Sequence, residues 1–180
     1  HLCSTALVLR DGKIDFHGPV RDGIQRYNSQ FSKNDQIRID DATRTGDGRL
    51  RITDVWFTDK SGGRLSTLRS GEQFNLNIRV NPLSAPCRRV TLAAGLTTIQ
   101  GDGILHLSTE TAGLTVDVLD VPTTFTCTVP RFPLRSGSYS MNLHLASNGI
   151  VADWLIDAVR VDVEDADFYG TGKLPPDGYS

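Results

Sequence analysis

Residues 72–81 read EQFNLNIRVN, in which Phe74, Leu76, Ile78 and Val80 alternate with Asn75, Asn77, Arg79 and Asn81. A period of two places one set on each side of an extended strand, so the segment has an apolar face and a polar one. The pattern recurs. RLRITDVWFTD (49–59), VTLAAGLTTI (90–99), ILHLSTET (104–111), TTFTCTVPRF (123–132), GSYSMNLHLA (137–146) and AVRVDVED (158–165) are further strand candidates. Turn signals such as Gly101-Asp102-Gly103, Arg135-Ser136-Gly137 and Ser147-Asn148-Gly149 separate them. Short strands at roughly ten-residue spacing, with no long helical pattern between them, predict an all-β fold: an antiparallel β-sandwich of jelly-roll or immunoglobulin-like type.

The first residues are organised differently. TALVLRDGKIDFHG (5–18) predicts a hairpin, with Ala6, Leu7, Val8 and Leu9 on one arm, an Asp11-Gly12 turn, and Ile14 and Phe16 on the return arm. In PVRDGIQRYNSQF (19–31), proline falls in a first helical turn and Val20, Ile24, Tyr27 and Phe31 share one face, which predicts a short amphipathic helix. An isolated hairpin is marginally stable, so this piece either packs on something later in the chain or ends a domain that lies upstream. SKNDQIRIDDATRTGDG (32–48) is polar and poor in large apolar side chains, as linkers are. The expected division is a hairpin and helix extension over 1–31, a linker over 32–45, the sandwich over 46–166 and an extended C-terminal segment over 167–180.

With 180 residues, 38% hydrophobic content and 22% charge, the chain is large enough for one domain that buries its own core. No apolar run approaches the ~20 residues of a membrane span, and no stretch reads as a signal peptide. A formal net charge of −2 gives no electrostatic reason to expect nucleic acid as a partner. Cys3, Cys87 and Cys127 are odd in number and widely spaced, which predicts free thiols in a reducing compartment and offers no zinc-ligand cluster.

Several stretches carry a family resemblance. LCSTALVLRDGKIDFHGPVRDGIQRY (2–27) resembles the tail of an ABC-transporter ATPase domain, with its leucine-cysteine pair, apolar strand, glycine turn and Gly-Pro-Val leading into a helix. The rest of the chain is similar to the C-terminal carbohydrate-binding domain of Wzt, the ATPase subunit of exporters for bacterial O-antigen and related polysaccharides. The similarity rests on RITDVWFTD (51–59), RSGEQF (69–74), FPLRSGSY (132–139), VADWL (151–155) and DFYGTGKLPP (167–176). It implies non-catalytic recognition of an O-antigen-type polysaccharide, commonly at its non-reducing end, for export by an ABC transporter. It further implies a homodimer, a transmembrane exporter subunit reached through the ATPase domain, and a cytoplasmic position against the bacterial inner membrane. No cofactor is expected for this chain, since ATP and magnesium would belong to the ATPase domain of the parent protein.

The chain lacks the phosphate-cradling glycine loop, the carboxylate motif and the signature loop of that ATPase. Gly170-Thr171-Gly172-Lys173 has neither the spacing nor the strand-to-helix context of a phosphate loop, so a turn in the tail is expected. Paired carboxylates at Asp40 and Asp41, and at Asp162, Glu164, Asp165 and Asp167, read as solvated charge; a glycosidase would set two of them across a cleft. His17, His106 and His144 have no adjacent serine or cysteine nucleophile. The chain is expected to be silent towards ATP and glycans. A sandwich that only holds subunits together, and less favourably a glycosidase, are the competing readings.

Glycan hydroxyls donate and accept hydrogen bonds at once, so a site for them wants planar amides, hydroxyls and imidazoles in an array. The polar strand faces offer Asn75, Asn77, Arg79, Thr126, Thr128, Asn142 and His144. Strands 123–132 and 137–146 are joined by a short link, which predicts that they pair and that all seven side chains share one face. An ordinary solvated sheet face is the equal alternative. Trp56 and Trp154 could stack on sugar rings or fill the core, and packing is the simpler expectation.

Overall fold

The computed structural model describes residues 4–10, 12–20, 22–23, 39, 42–84 and 86–174. The chain divides into two compact units, His1–Gln36 and Ile37–Ser180.

In the first unit, β1 (Thr5–Arg10) and β2 (Lys13–Pro19) pair antiparallel around Gly12, whose φ of 75° is the left-handed conformation that a tight hairpin requires. Val8 is buried, while Leu7, Leu9 and Ile14 are exposed. Gly23 sits so close to the hairpin that a Cβ there would come within 2.5 Å of the Ala6 Cβ. Backbone at Val20, Asp22 and Gly23 is helical, and residues 24–31 of the predicted helix lie outside the described residues.

The second unit is a two-sheet sandwich. Its strands are β3 (Thr43–Thr45), β4 (Leu50–Thr58), β5 (Arg64–Leu65), β6 (Leu68–Arg69), β7 (Phe74–Pro82), β8 (Cys87–Thr97), β9 (Gly103–Ser108), β10 (Val116–Leu119), β11 (Thr123–Val129), β12 (Gly137–Ser147) and β13 (Ile150–Glu164). The larger sheet runs β10-β8-β12-β13-β3, with β9 pairing β8 and the short β6 pairing β13 in parallel; the smaller runs β11-β7-β4-β5. Every other pairing in the two sheets is antiparallel.

Alternation supplies the core. Leu50, Ile52, Val55, Phe57, Phe74, Leu76, Ile78 and Val80 face Val90, Leu92, Leu96, Met141, Leu143, Leu145, Leu155, Val159 and Val161, all buried in one cluster. Each such side chain contributes about 1.5–3 kcal/mol through burial. Phe74 lies edge-on to Phe57 at 5.8 Å and to Phe132 at 5.0 Å.

The link from β11 to β12 corrects the predicted pairing. Those strands belong to opposite sheets, because residues 130–136 cross the sandwich instead of making a hairpin. Phe132 is fully buried in the crossing, its N–H donates to the Glu72 carbonyl at 3.0 Å, and its carbonyl accepts from the Gly71 N–H at 2.8 Å. A buried aromatic anchor in the link outweighs the preference of consecutive strands to pair. The predicted strand 158–165 is the second half of β13, which begins at Ile150 and bends at left-handed Asp157. β3 falls inside the stretch expected as linker, and β10 has no counterpart among the predicted strands.

The tail folds back on its own sandwich. The Asp167 carboxylate accepts from the backbone N–H groups of Thr171, at 3.0 Å, and of Gly172. The Arg131 guanidinium lies 4.0 Å above the Phe168 ring, and Gly71 is packed against Phe168 so closely that a Cβ would approach its Cα to 2.9 Å. Residues 175–180 are outside the described set. No helix among the described residues is long and apolar enough to cross a membrane.

Candidate functional site

The fold distributes the seven predicted residues over two outer faces. Asn75, Asn77, Arg79, Thr126 and Thr128 lie on the smaller sheet, whereas Asn142 and His144 lie on the larger one, so the single shared face does not exist. Within the smaller sheet the register does bring its five together: Thr128 is opposite Asn75, Thr126 is opposite Asn77, and Trp56 and Thr58 of β4 flank the same asparagines.

The smaller face is a closed ladder. The hydroxyl of Thr126 donates to Asn77 Oδ1 and that of Thr128 to Asn75 Oδ1, each at 2.8 Å. Asn77 Nδ2 donates to Thr58 Oγ1 at 3.3 Å and to the Trp56 carbonyl at 3.4 Å, and Asn75 Nδ2 reaches Thr58 Oγ1 at 3.4 Å. Asn77 and Thr58 are buried. Arg64 covers Trp56, its guanidinium carbon 5.3 Å from the ring centre. The asparagine and threonine groups that could hold a sugar are spent on one another, while Arg79 stands exposed at the side of the ladder.

The larger face has the opposite character. Outward positions of β8 are Thr91, Ala93, Gly95 and Thr97, all small, because the VTLAAGLTT alternation sends its larger residues inward. A Cβ built on Gly95 would meet nothing within 4 Å. Taller side chains stand on either side: His106 of β9 opposite Gly95, and Asn142 and His144 of β12 opposite Gly95 and Ala93. The result is a short groove over Ala93 and Gly95 of β8.

Beyond His144 lies Trp154 of β13, its directly paired neighbour. The rings meet edge to face at 6.0 Å and 75°, and Trp154 is 44% exposed, so this tryptophan presents itself to solvent instead of filling the core. Asn142 Oδ1 accepts from the Asp157 N–H at 2.8 Å, which orients the amide and leaves Nδ2 unengaged among the described residues. Neither His106 nor His144 spends a ring nitrogen on a hydrogen bond among the described residues.

The wall is anchored from beneath. Asp153, next to Trp154, is fully buried; its carboxylate accepts from the Ile52 N–H at 2.8 Å and is paired with Arg44 of β3 at 3.1 Å and Arg51 of β4 at 3.5 Å. Burial pushes this carboxyl above its ordinary range, against the Ile52 N–H and the two arginines.

The other predicted features resolve structurally. The Asp162 carboxylate accepts from the Ser138 hydroxyl and that of Asp165 from Ser136, and no cluster of three metal-ligating residues occurs among the described residues. Gly170-Thr171-Gly172 wraps the chain's own Asp167. Cys87 and Cys127 are free, and burial raises both thiols; Cys3 is outside the described residues.

Fold and faces together define a two-sheet antiparallel β-sandwich, one side sealed by its own hydrogen bonds and the other open as a groove. The family model described as the Wzt C-terminal domain matches residues 41–174, and the chain belongs to that family. Membership gives it a role with the polysaccharide exporter, as the non-catalytic C-terminal part of an ABC-transporter subunit. Among solved structures, the C-terminal domain of wzt aligns with a TM-score of 0.61 at 18% identity, covering 78% of this chain and 87% of that one. A Niemann-Pick type C2 protein from Japanese carpenter ant aligns with a TM-score of 0.48 at 10% identity over 68% of this chain and 98% of its own. Comparison with curated protein sequences gave no match.

Proposed function

We propose that the chain recognises an O-antigen-type polysaccharide without acting on it chemically, and that the glycan lies in the β8 groove of the larger sheet. The observation that carries this is the juxtaposition of the small-residue floor, Ala93 and Gly95, with the exposed Trp154–His144 pair. A pyranose has an apolar face that suits an indole and a rim of hydroxyls that suits Asn142, His144 and His106. Of the seven side chains expected from the sequence, Asn142 and His144 thus take part directly. Asn75, Asn77, Thr126 and Thr128 stabilise the opposite sheet, and Arg79 is exposed on it away from the groove.

In this reading residues 1–31 close an ABC ATPase domain, an assignment consistent with a hairpin that leaves Leu7, Leu9 and Ile14 exposed. ATP and magnesium act in that parent domain, the transmembrane exporter subunit is reached through it, and the protein works as a homodimer on the cytoplasmic side of the inner membrane. Sedimentation of the chain at high micromolar concentration should give a dimer; monomer alone contradicts the pairing.

Titrating the chain calorimetrically with the O-polysaccharide of its own source strain tests the central reading. Saturable heat with unchanged chain length of the glycan is expected. No heat, or shortened glycan, overturns it.

A further inference from the structure

One end of the sandwich holds a cavity of about 250 Å³ lined by Asp47, Arg49, Cys87, Arg88, Ser147 and Asn148, among others. None of these residues belongs to the β8 groove or to the polar ladder. Charge within it is unbalanced. Asp47 is consumed by Arg49, through a 2.7 Å ion pair to Nε and a 3.0 Å hydrogen bond from its backbone N–H. The Arg88 guanidinium has no hydrogen bond or ion pair among the described residues.

Its neighbours are arranged to donate. Arg89 Nε donates to Asn148 Oδ1 at 3.1 Å, so the remaining Asn148 group, Nδ2, is a donor with no described partner. Arg89 and Asn148 have φ values of 44° and 52°, and Asp157 is the only other described non-glycine residue with positive φ. Asn148 and Gly149 are the two central residues of the tight turn between β12 and β13, which accounts for the positive φ of Asn148 and sets its side chain at the edge of the cavity. Cys87 adds no reactivity: its thiol points at the Ser84 carbonyl, 3.4 Å away, and burial keeps it protonated.

We infer that this cavity is a binding site for an oxyanion, a carboxylate or phosphate group, held by the Arg88 guanidinium and the Asn148 amide. Arginine forks match either anion with two parallel hydrogen bonds, and the volume leaves room for part of the molecule that carries the charge. The inference does not rest on the groove, and small anions test it separately from glycan binding.

Backbone amide shifts of the chain are followed by NMR while inorganic phosphate, glucuronate or neutral glucose is added at constant ionic strength. Saturable shifts at Cys87, Ser147 and Asn148 with phosphate, with glucuronate or with both are expected, and glucose should leave these amides unmoved. Phosphate alone identifies a phosphorylated ligand and glucuronate alone an acidic sugar. In Arg88→Ala, an exposed position whose loss leaves the core intact, the response should weaken at least about tenfold, the loss of one charge-assisted contact. Silence towards both anions, or an unchanged response in Arg88→Ala, overturns the site.

Discussion

The two outer faces of the sandwich carry similar residues and differ in what those residues are free to do. On the smaller sheet, asparagine amides and threonine hydroxyls are aligned by the register and hydrogen-bond one another across three strands. On the larger sheet Asn142, His106 and His144 stand beside an empty floor and an exposed indole. A row of sugar-compatible side chains is therefore weak evidence of a sugar site until the partners of each group are known. Polar groups that satisfy one another stabilise a sheet; polar groups left beside small residues can bind something else.

The largest separation between the faces should come from Trp154→Ala. Removing the indole should weaken glycan binding by at least about tenfold, ~1.4 kcal/mol, while the melting temperature changes little because the ring is half exposed. Next comes Asn77→Ala on the other face, the mirror-image outcome: the Thr126 hydroxyl loses its acceptor and the buried Thr58 loses one of its two amide donors, costing about 1–3 kcal/mol of stability by urea denaturation, with glycan affinity unchanged. Gly95→Val should fill the groove without strain, since nothing lies within 4 Å of the added Cβ; calorimetry should show weakened binding in a protein at least as stable as the parent, by up to about 1 kcal/mol.

The smallest effect concerns pH. The folded chain binds the Asp153 proton more tightly than the unfolded chain, because burial raises the carboxyl from its ordinary value of 3.8. The stability this group contributes is complete below 3.8 and declines as pH rises from there through the folded value, then stays level. Urea midpoints measured across that window should fall in the parent and lose this component of the slope in Asp153→Asn. An identical slope in both would remove Asp153 as the titrating anchor of the groove wall.

The sandwich itself was legible because its signal is local and repeated. Phe74, Leu76, Ile78 and Val80 announce one buried face whatever their partners are. Strand order was not legible, since period says nothing about which sheet receives a strand, and the deciding residue, Phe132, reads as the end of the strand 123–132, whereas β11 ends at Val129 and Phe132 anchors the crossing. Pairing of the smaller-sheet residues, Thr126 with Asn77 and Thr128 with Asn75, could be guessed from parity; their mutual saturation could not, because it depends on rotamers. The groove did leave a trace. Thr91, Ala93, Gly95 and Thr97 are four consecutive small residues on one face of a strand, a pattern that marks either close packing or an open floor. Trp154 looked like core because Leu155 and Ala152 beside it are core, and only the register of β13 against β12 turns its ring outward beside His144.

The most direct measurement is an amide-shift map of the chain titrated with its cognate polysaccharide. Perturbations concentrated at Ala93, Gly95, His106, Asn142, His144 and Trp154, with Asn75, Asn77, Thr126 and Thr128 unmoved, are the predicted result. Perturbations confined to the smaller-sheet ladder, with the β8 groove silent, would contradict the account.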